Sequence, residues 1–292
     1  MTFGIVGNHR RERVGEVVER IVEALRERGE PFIVHAALKD ECRTVDPLRF
    51  AEDDRLYQAA DVVLSVGGDG TWLNAAYAAR KRDKPTLGVN FGRLGFLAEV
   101  EINRIDSVID ELTRGEYRIE ERFALDTTIE GIERGFYAIN DLVIDKAGGS
   151  NMLEMVVSID GRYVATILAD GLIAATPTGS TAYALSAGGP IVTPGADVLT
   201  LCAIAPHSLT VRPLVAPASS TVEVRIPERR GRVGVYADGE RSLELDAPFT
   251  ATIARSERSV KLVRPNSVDY FATLRRKLFW GADARAFGEK KA

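Results

Sequence analysis

Cysteine is nearly missing from this chain: Cys42 and Cys202 are the two among 292 residues. They lie far apart and form no CxxC pair, which excludes a zinc ribbon and a disulfide framework and suits a reducing compartment. Long apolar runs are missing as well. No stretch approaches the roughly 18 consecutive apolar residues that a membrane span needs. His9, Arg10 and Arg11 follow the first short apolar run instead of preceding it, the reverse of a secretory signal. These features lead us to expect a cytoplasmic protein with no membrane partner. An excess of positive charge is absent: 38 Lys and Arg stand against 42 Asp and Glu, a net charge of −4. That argues against a general nucleic-acid binder. His9, His35 and His207 are scattered, with no HxxxH spacing for a metal. The chain has no GxGxxG dinucleotide fingerprint, no Gly-Lys pair and hence no GxxxxGK[ST] loop, and no GxSxG elbow, so a serine hydrolase is disfavoured.

What is there is ordinary globular material, 45% apolar and 27% charged, in a length that favours two domains. The first half alternates strand and helix patterns. Thr2–Gly7 reads as a strand. Arg11–Gly29 follows, with Val14, Val17, Val18, Ile21, Val22 and Leu25 at helical spacing and Gly29 placed as a C-cap. Pro31–Ala37, the apolar Asp61–Val66 and Thr86–Val89 read as further strands, with a helical stretch at Thr71–Arg82. Alternating β and α elements predict a parallel sheet with flanking helices. From about Phe123 the pattern changes to short β runs. These are Ala124–Ile129, Phe136–Ile144, Met155–Asp160, Tyr163–Ile167, Leu199–Ile204, Thr221–Ile226, Val233–Ala237 and Ala251–Ile253. Asp160-Gly161 and Asp238-Gly239 supply turn signals. Val268–Trp280 regains helical spacing. The expected organisation is an α/β domain over residues 1–120 and a β-rich domain over 121–292, the C-terminal helix packing back on the first.

Four segments offer chemistry. Gly67-Gly68-Asp69-Gly70-Thr71 directly follows an apolar strand and opens a helix. Glycines there let backbone N–H groups approach an anion at the positive end of the helix. Asp69 sets a carboxylate among them, where it would hold a cation or a hydroxyl proton, both needed in phosphoryl transfer. Taken alone, Gly-Asp-Gly also reads as a plain turn with Asp as N-cap. Gly88–Leu97 spaces glycines at 88, 92 and 95, and read alone is a structural loop packing Phe96 and Leu97 inward. Asn140-Asp141 interrupts an apolar strand, either as an edge hydrogen bond or as a strand end facing a ligand. Asp170–Pro190 is rich in hydroxyls, Thr176, Thr178, Ser180, Thr181 and Ser186, with Tyr183 placed to stack on a base. It reads as a binding crevice or as a helix-capping loop. His207 reads as a half-buried structural residue. Arg80-Lys81-Arg82 and Arg275-Arg276-Lys277 read as solvated helix faces.

In this order and spacing, the segments resemble the NAD kinase family. The likeness runs from about Asp61 to Arg264 plus the opening strand. It combines GGDGT, the Gly-Val-Asn-x-Gly-x-Leu-Gly-Phe-Leu run, Asn-Asp, the Asp-Gly-Leu-Ile…Thr-Pro-Thr-Gly-Ser-Thr-Ala-Tyr…Ser-Ala-Gly-Gly-Pro stretch, Ala205-Pro206-His207-Ser208-Leu209 and Asp238-Gly239. GGDGT alone also resembles motifs of lipid kinases. The resemblance implies phosphorylation of the adenosine ribose 2′-hydroxyl of NAD by ATP or polyphosphate, with a divalent metal, usually magnesium. It implies Asp69 as general base and Gly67, Gly68 and Thr71 as the phosphate loop. Gly70, Asn74, Asn140, Asp141, Asp170, Thr181, Ala182, Tyr183, Ser186 and Ala205 would meet the dinucleotide, and the chain would form dimers or tetramers.

Some positions depart from the family pattern. Asn74 and Leu168 stand where a basic residue is frequent, Glu240 where glutamine is, and Asp141 where glutamate is usual. The first two remove positive charge and the third adds negative charge, which leaves donor and acceptor preference open; Arg93 or His9–Arg11 would be the sources to replace it. Two alternatives remain at this stage: another GGDGT-type kinase, for a lipid or sugar, and a non-catalytic NAD(P)-binding regulator.

Overall fold

A computed structural model of the chain describes residues 1–92, 95–148, 151–227 and 232–280. Arg93 and the terminal Gly288–Ala292 lie outside the described residues. The chain divides into two compact units, residues 1–121 with the segment from Lys261 onward, and residues 122–260.

The first unit begins with β1 (Phe3–Gly7), α1 (Val14–Glu27), β2 (Phe32–His35), β3 (Phe50–Ala51), α2 (Asp53–Ala59) and β4 (Val62–Val66). It continues with α3 (Asp69–Ala79), β5 (Thr86–Asn90), β6 (Val100–Glu101), α4 (Ile105–Thr113) and β7 (Tyr117–Arg122). The stripe of α1 forms as expected: Val14, Val17, Val18, Ile21, Val22 and Leu25 are buried against β-strand residues such as Ile5, Val34 and Leu64. The helix starts later than Arg11, because Arg13 sits in the left-handed region at φ 65°. Gly29, at φ 69°, ends it. The strand expected over Pro31–Ala37 stops at His35, whose ring nitrogen accepts the Ala37 N–H and opens a 3₁₀ turn.

The strands run β3-β2-β1-β4-β5 in space, and every pair among them is parallel. From β1 the chain turns outward to β2 and returns on the other side as β4. The carboxyl ends of β1 and β4, at Gly7 and Val66, therefore flank the point where strand order reverses, the usual crevice for a ligand in a sheet of this kind.

The second unit holds β8 (Leu125–Ile129), β9 (Ile132–Ala138), β10 (Asp141–Asp145), β11 (Leu153–Ile159), β12 (Arg162–Ala169) and β13 (Gly171–Ala175). A short helix α5 (Tyr183–Ser186) precedes β14 (Val198–Ile204), β15 (Leu214–Pro217), β16 (Val222–Ile226), β17 (Arg232–Ala237), β18 (Arg241–Asp246) and β19 (Phe249–Arg255). They form two antiparallel sheets, β15-β14-β13-β10-β17-β18 and β12-β11-β16-β19-β8-β9. Alternate residues from both sheets share one core, with Leu142, Ile144, Leu172 and Val235 from the first and Met155, Val224 and Ile253 from the second. The other face of β13 is also covered: Ile173 and Ala175 pack with Ala184 and Cys202. Burial on both faces explains why Gly171–Ala175 reads as an unbroken apolar run. Both Asp-Gly pairs form hairpin turns with positive φ at each residue, 52° and 73° at Asp160-Gly161, 52° and 71° at Asp238-Gly239.

The strand expected over Phe136–Ile144 is two strands. It breaks at Ile139–Asn140, and its halves β9 and β10 belong to different sheets. The break is held by Asp238, whose carboxylate accepts the N–H groups of Ile139, Asn140 and Asp141.

The chain then returns to the first unit as β20 (Val260–Pro265), between β5 and β7, followed by α6 (Tyr270–Leu278), which Asp269 caps through the N–H groups of Phe271 and Ala272. Arg264 of β20 is 2% exposed and lies 3.0 Å from a Glu99 oxygen and 3.2 Å from one of Glu120. Removing one member of such a pair strands a buried charge. Arg264→Met is expected to cost about 3–5 kcal/mol in urea unfolding, and adding Glu99→Gln to it to recover part of that loss.

Candidate active site

The glycine-rich turn after β4 sits in the first unit, at the reversal point of strand order. Gly68 is the N-cap of α3 and Asp69 its first residue, so Asp69 is not the cap that a plain turn would make it. Its carboxylate reaches across the turn and accepts three successive backbone N–H groups, those of Phe96 at 2.9 Å, Leu97 at 2.9 Å and Ala98 at 3.0 Å. The second glycine segment is therefore the clasp that orients Asp69. Gly95 makes it possible: a Cβ there would lie 1.9 Å from Asp69 Oδ1. Phe96 and Leu97 are 9% and 6% exposed, the inward packing read from the sequence.

Around this carboxylate, Gly70 is exposed with open space beside it, Thr71 packs over Gly67, and Asn74 is exposed on α3. One neighbour was missed. Lys277 of α6, read as part of a solvated face, places Nζ 3.8 Å from Asp69 Oδ2 and 4.4 Å from the centre of the Phe96 ring. Arg276 pairs with Glu101 at 2.8 Å and Arg275 lies 3.8 Å from Asp269. No local pattern could place Lys277, because α6 returns to this sheet only after the second unit is complete.

The second unit has its own pocket, about 380 Å³, on the outer face of β10 and β17. Asn140, Asp141, Ala182 and Tyr183 line it, together with Val143, Asp145, Tyr236, Asp238 and Gly239. Asn140-Asp141 is the strand end facing a pocket rather than an edge pair. Asn140 Oδ1 is buried and accepts no hydrogen bond among the described residues, an acceptor waiting for a donor. Asp141 is 4% exposed. Burial, then the charge of Asp238, pushes its carboxyl up to about 7, against the pull of the Tyr183 N–H. Asp238 is also raised by burial, although the N–H groups of Ile139 and Asn140 and the charge of Arg241 oppose it. Tyr183 is 46% exposed at the pocket wall. Tyr236 supplies a second ring; the alternation of β17, with Val233, Val235 and Ala237 in the core, was the signal that turns it outward. Rings with an unsatisfied acceptor and a carboxyl suit a flat, polar, neutral group.

Other expected site residues are placed elsewhere. Thr176 and Ser180 are fully buried and spend their hydroxyls on backbone carbonyls of Ile139 and Pro177, so they build the loop and do not line a crevice. Thr181 bonds Thr178 O, and Ser186 is exposed at the end of α5. Neither lines the pocket. Asp170 is held 2.8 Å from Lys146 Nζ, and Ala205, exposed with φ 44°, follows β14 next to it in register. His207 is exposed and not half-buried, and Leu168 and Glu240 are exposed as well. Among the described residues no three His, Cys, Asp or Glu side chains gather as a metal site.

Comparison with known proteins bears on both units. Residues 3–117 match the model of the ATP-NAD kinase N-terminal domain, and residues 139–265 that of the ATP-NAD kinase C-terminal domain. The chain is 37% identical over 284 residues to the NAD kinase of Thiobacillus denitrificans, covering 96% of this chain and 97% of the relative. It is 36% identical over 294 residues to that of Bacteroides fragilis, covering 98% and 100%. Among solved structures, an NAD kinase from Archaeoglobus fulgidus in complex with ATP aligns at TM-score 0.73 and 26% identity, over 96% of this chain and 99% of that one. Yeast NADH kinase complexed with NADH shares the fold at TM-score 0.86 and 24% identity, over 97% and 89%.

The pocket carboxyl gives a pH signature. Folded, Asp141 keeps its proton up to about pH 7; unfolded, it loses it near the ordinary value of about 4. The folded state therefore binds the extra proton between those limits, and stability falls as pH rises through that window. Urea unfolding of the wild type should show that decline between about pH 4 and 7, and Asp141→Asn should flatten it.

Proposed function

The chain belongs to the NAD kinase family, and we infer that it transfers a phosphoryl group from ATP to the 2′-hydroxyl of the adenosine ribose of NAD, giving NADP. The observation that carries this reading is Asp69, a carboxylate set at the opening of α3 beside a glycine turn and held there by three amides. A ribose hydroxyl is a poor nucleophile at neutral pH. Asp69 accepts its hydrogen bond and takes its proton as the new oxygen–phosphorus bond forms and the bond to the departing ADP oxygen breaks. Because the amide clasp already fixes the carboxylate, no reorganisation is spent at the moment of transfer. Gly67 and Gly68 let backbone N–H groups approach the donor phosphates, Thr71 packs the turn, and Gly70, with open space beside it, and Asn74 are assigned to the dinucleotide.

We assign the dinucleotide's recognition to the second unit. Asn140 Oδ1 accepts a donor from the nucleoside, the protonated Asp141 carboxyl gives it a hydrogen bond, and Tyr183 with Tyr236 packs its ring. Asp170, Thr181, Ala182, Ser186 and Ala205 are assigned to the rest of the dinucleotide. Magnesium, when bound, neutralises charge on the donor phosphates. Asp69 is the one carboxylate in the turn and its oxygens already accept N–H groups. That donor set suits an ion carried mainly by phosphate oxygens and water, as magnesium commonly is.

We further place the enzyme in the cytoplasm as a dimer or tetramer. Both cysteines are free, and among the described residues no helix is long and apolar enough to cross a membrane. Tyr163, Leu168, Leu209 and Val215 are exposed apolar side chains of the second unit that association would cover. Neither the lipid or sugar kinase nor the non-catalytic regulator is favoured, since the relatives matched along the whole chain are NAD kinases.

Incubation with NAD, Mg²⁺ and either ATP or polyphosphate should yield NADP; no product with either donor overturns the reading. Asp69→Asn should lower kcat roughly 10²–10⁴-fold, the usual worth of a positioned base, with NAD affinity nearly unchanged by calorimetry. It should also cost about 1–3 kcal/mol of stability, because an amide nitrogen would face the Phe96 N–H. An unchanged rate would remove Asp69 from the proton-acceptor role.

A further inference from the structure

Two cations stand at the Gly67–Gly70 turn that the mechanism above does not use. Arg11 lies in the loop after β1, at the reversal point of the sheet. Its guanidinium rests against two glycines: a Cβ on Gly68 would come 3.6 Å from Nη2, and one on Gly92 3.5 Å from Nη1. Among the described residues this guanidinium has neither a hydrogen bond nor an ion pair, whereas nearby Arg13 is paired with Glu16 at 2.9 Å. Lys277 lies on the Asp69 side. At 3.8 Å its ammonium is beyond hydrogen-bond distance of the carboxylate, and among the described residues no hydrogen bond uses its three N–H donors.

This arrangement is out of electrostatic balance. The opening of α3 presents the positive end of a helix dipole. The charge of Asp69 is already met by three amide donors and by Lys277. A long, unpaired arginine over the same turn adds like charge to like, and ordering its side chain costs entropy. An anion seated on the turn gives the helix opening, Arg11 and Lys277 a shared counter-charge, so that attraction to it outweighs their mutual repulsion. Arginine suits phosphate through its planar fork, and lysine as a point charge able to touch carboxylate and phosphate together.

We propose that Arg11 and Lys277 hold the phosphate tail of the phosphoryl donor against the Gly67–Gly70 turn, Arg11 on the side of Gly68 and Gly92 and Lys277 beside Asp69. The assignment rests on the kinase reading and adds to it the two side chains that supply donor affinity. It also predicts a division of labour. Arg11 acts on donor binding alone, while Lys277, next to the proton acceptor, acts on donor binding and on turnover.

The test uses the full chain with Arg11→Gln, Lys277→Gln, Arg11→Lys and Lys277→Arg, each checked for an unchanged thermal unfolding midpoint. Inorganic tripolyphosphate is titrated by calorimetry, and NADP formation is measured against ATP and against NAD. Each glutamine variant is expected to bind tripolyphosphate roughly 10- to 100-fold more weakly, the usual effect of losing a charge-assisted contact. KM for ATP should rise in parallel while KM for NAD stays within about twofold, kcat should fall only in Lys277→Gln, and Lys277→Arg should regain most of the lost affinity. Wild-type affinity and KM in both glutamine variants would overturn the proposal, and weakening in one alone would overturn it for the other residue. If the wild type forms no NADP, the kinase reading falls, while the tripolyphosphate titration still judges the two cations. If Lys277→Gln does not fold, the Arg11 variants and Lys277→Arg carry the decision.

Discussion

Among the described residues, a carboxylate that accepts three successive backbone N–H groups occurs once in each unit, and both halves of the proposed chemistry hang from it. In the first unit Asp69 takes the amides of Phe96, Leu97 and Ala98. In the second Asp238 takes those of Ile139, Asn140 and Asp141. Amides leaving a strand or crossing between sheets have no ladder partner, and buried N–H groups left unpaired are costly. An ionised oxygen pair satisfies several at once, with bonds stronger than neutral ones. The two clasps serve opposite ends. In the mechanism we propose, Asp69 is itself the reacting group, and the loop it grips aims it. Asp238 is the holder, and the residues it grips, Asn140 and Asp141, are the ones that face the pocket.

The same distinction explains what was legible in the sequence. Where one element and the next carry the signal, the residues announce it: the stripe of α1, the apolar β4, the Asp-Gly turns at 160 and 238. Asp69 and the Asn140-Asp141 pair stood out because polar groups among glycines or in an apolar strand demand a reason. Their holders did not. Phe96–Ala98 donate only backbone, which leaves no mark on side-chain identity, and Gly95 reads as any loop glycine until its absent Cβ is seen to make room for Asp69. Asp238 read as a turn residue, which it is, and its second task depends on a strand break at Ile139–Asn140 that periodicity had smoothed into one run. Lys277 and Arg264 belong to a segment that rejoins the first unit after the whole second unit has been traversed. Pairing of that range follows from packing alone.

Net charge is the least local of these quantities, and the two sites show why it misleads. A chain at −4 repels a polyanionic polymer on average. Yet screening confines each charge to about 8 Å at physiological ionic strength, so a phosphate meets only the groups around it. At the phosphate site proposed in the first unit those are a helix opening, amides, Arg11 and Lys277, with the carboxylate of the turn already compensated. The second unit handles its acids in the opposite way. Asp141 and Asp238 are buried close enough that charging both is unfavourable, and Asp141 keeps its proton to about pH 7. One unit therefore presents surplus positive potential and the other a nearly neutral, hydrogen-bonding floor between two tyrosine rings. Those suit the two parts of the proposed chemistry: a phosphate chain that must be neutralised, and a nucleoside whose polar edges must be matched without charge. Exchanging the strategies would defeat both parts of the proposal, since an uncompensated carboxylate at the turn would expel phosphate, and an ionised Asp141 would lose the hydrogen it is proposed to donate.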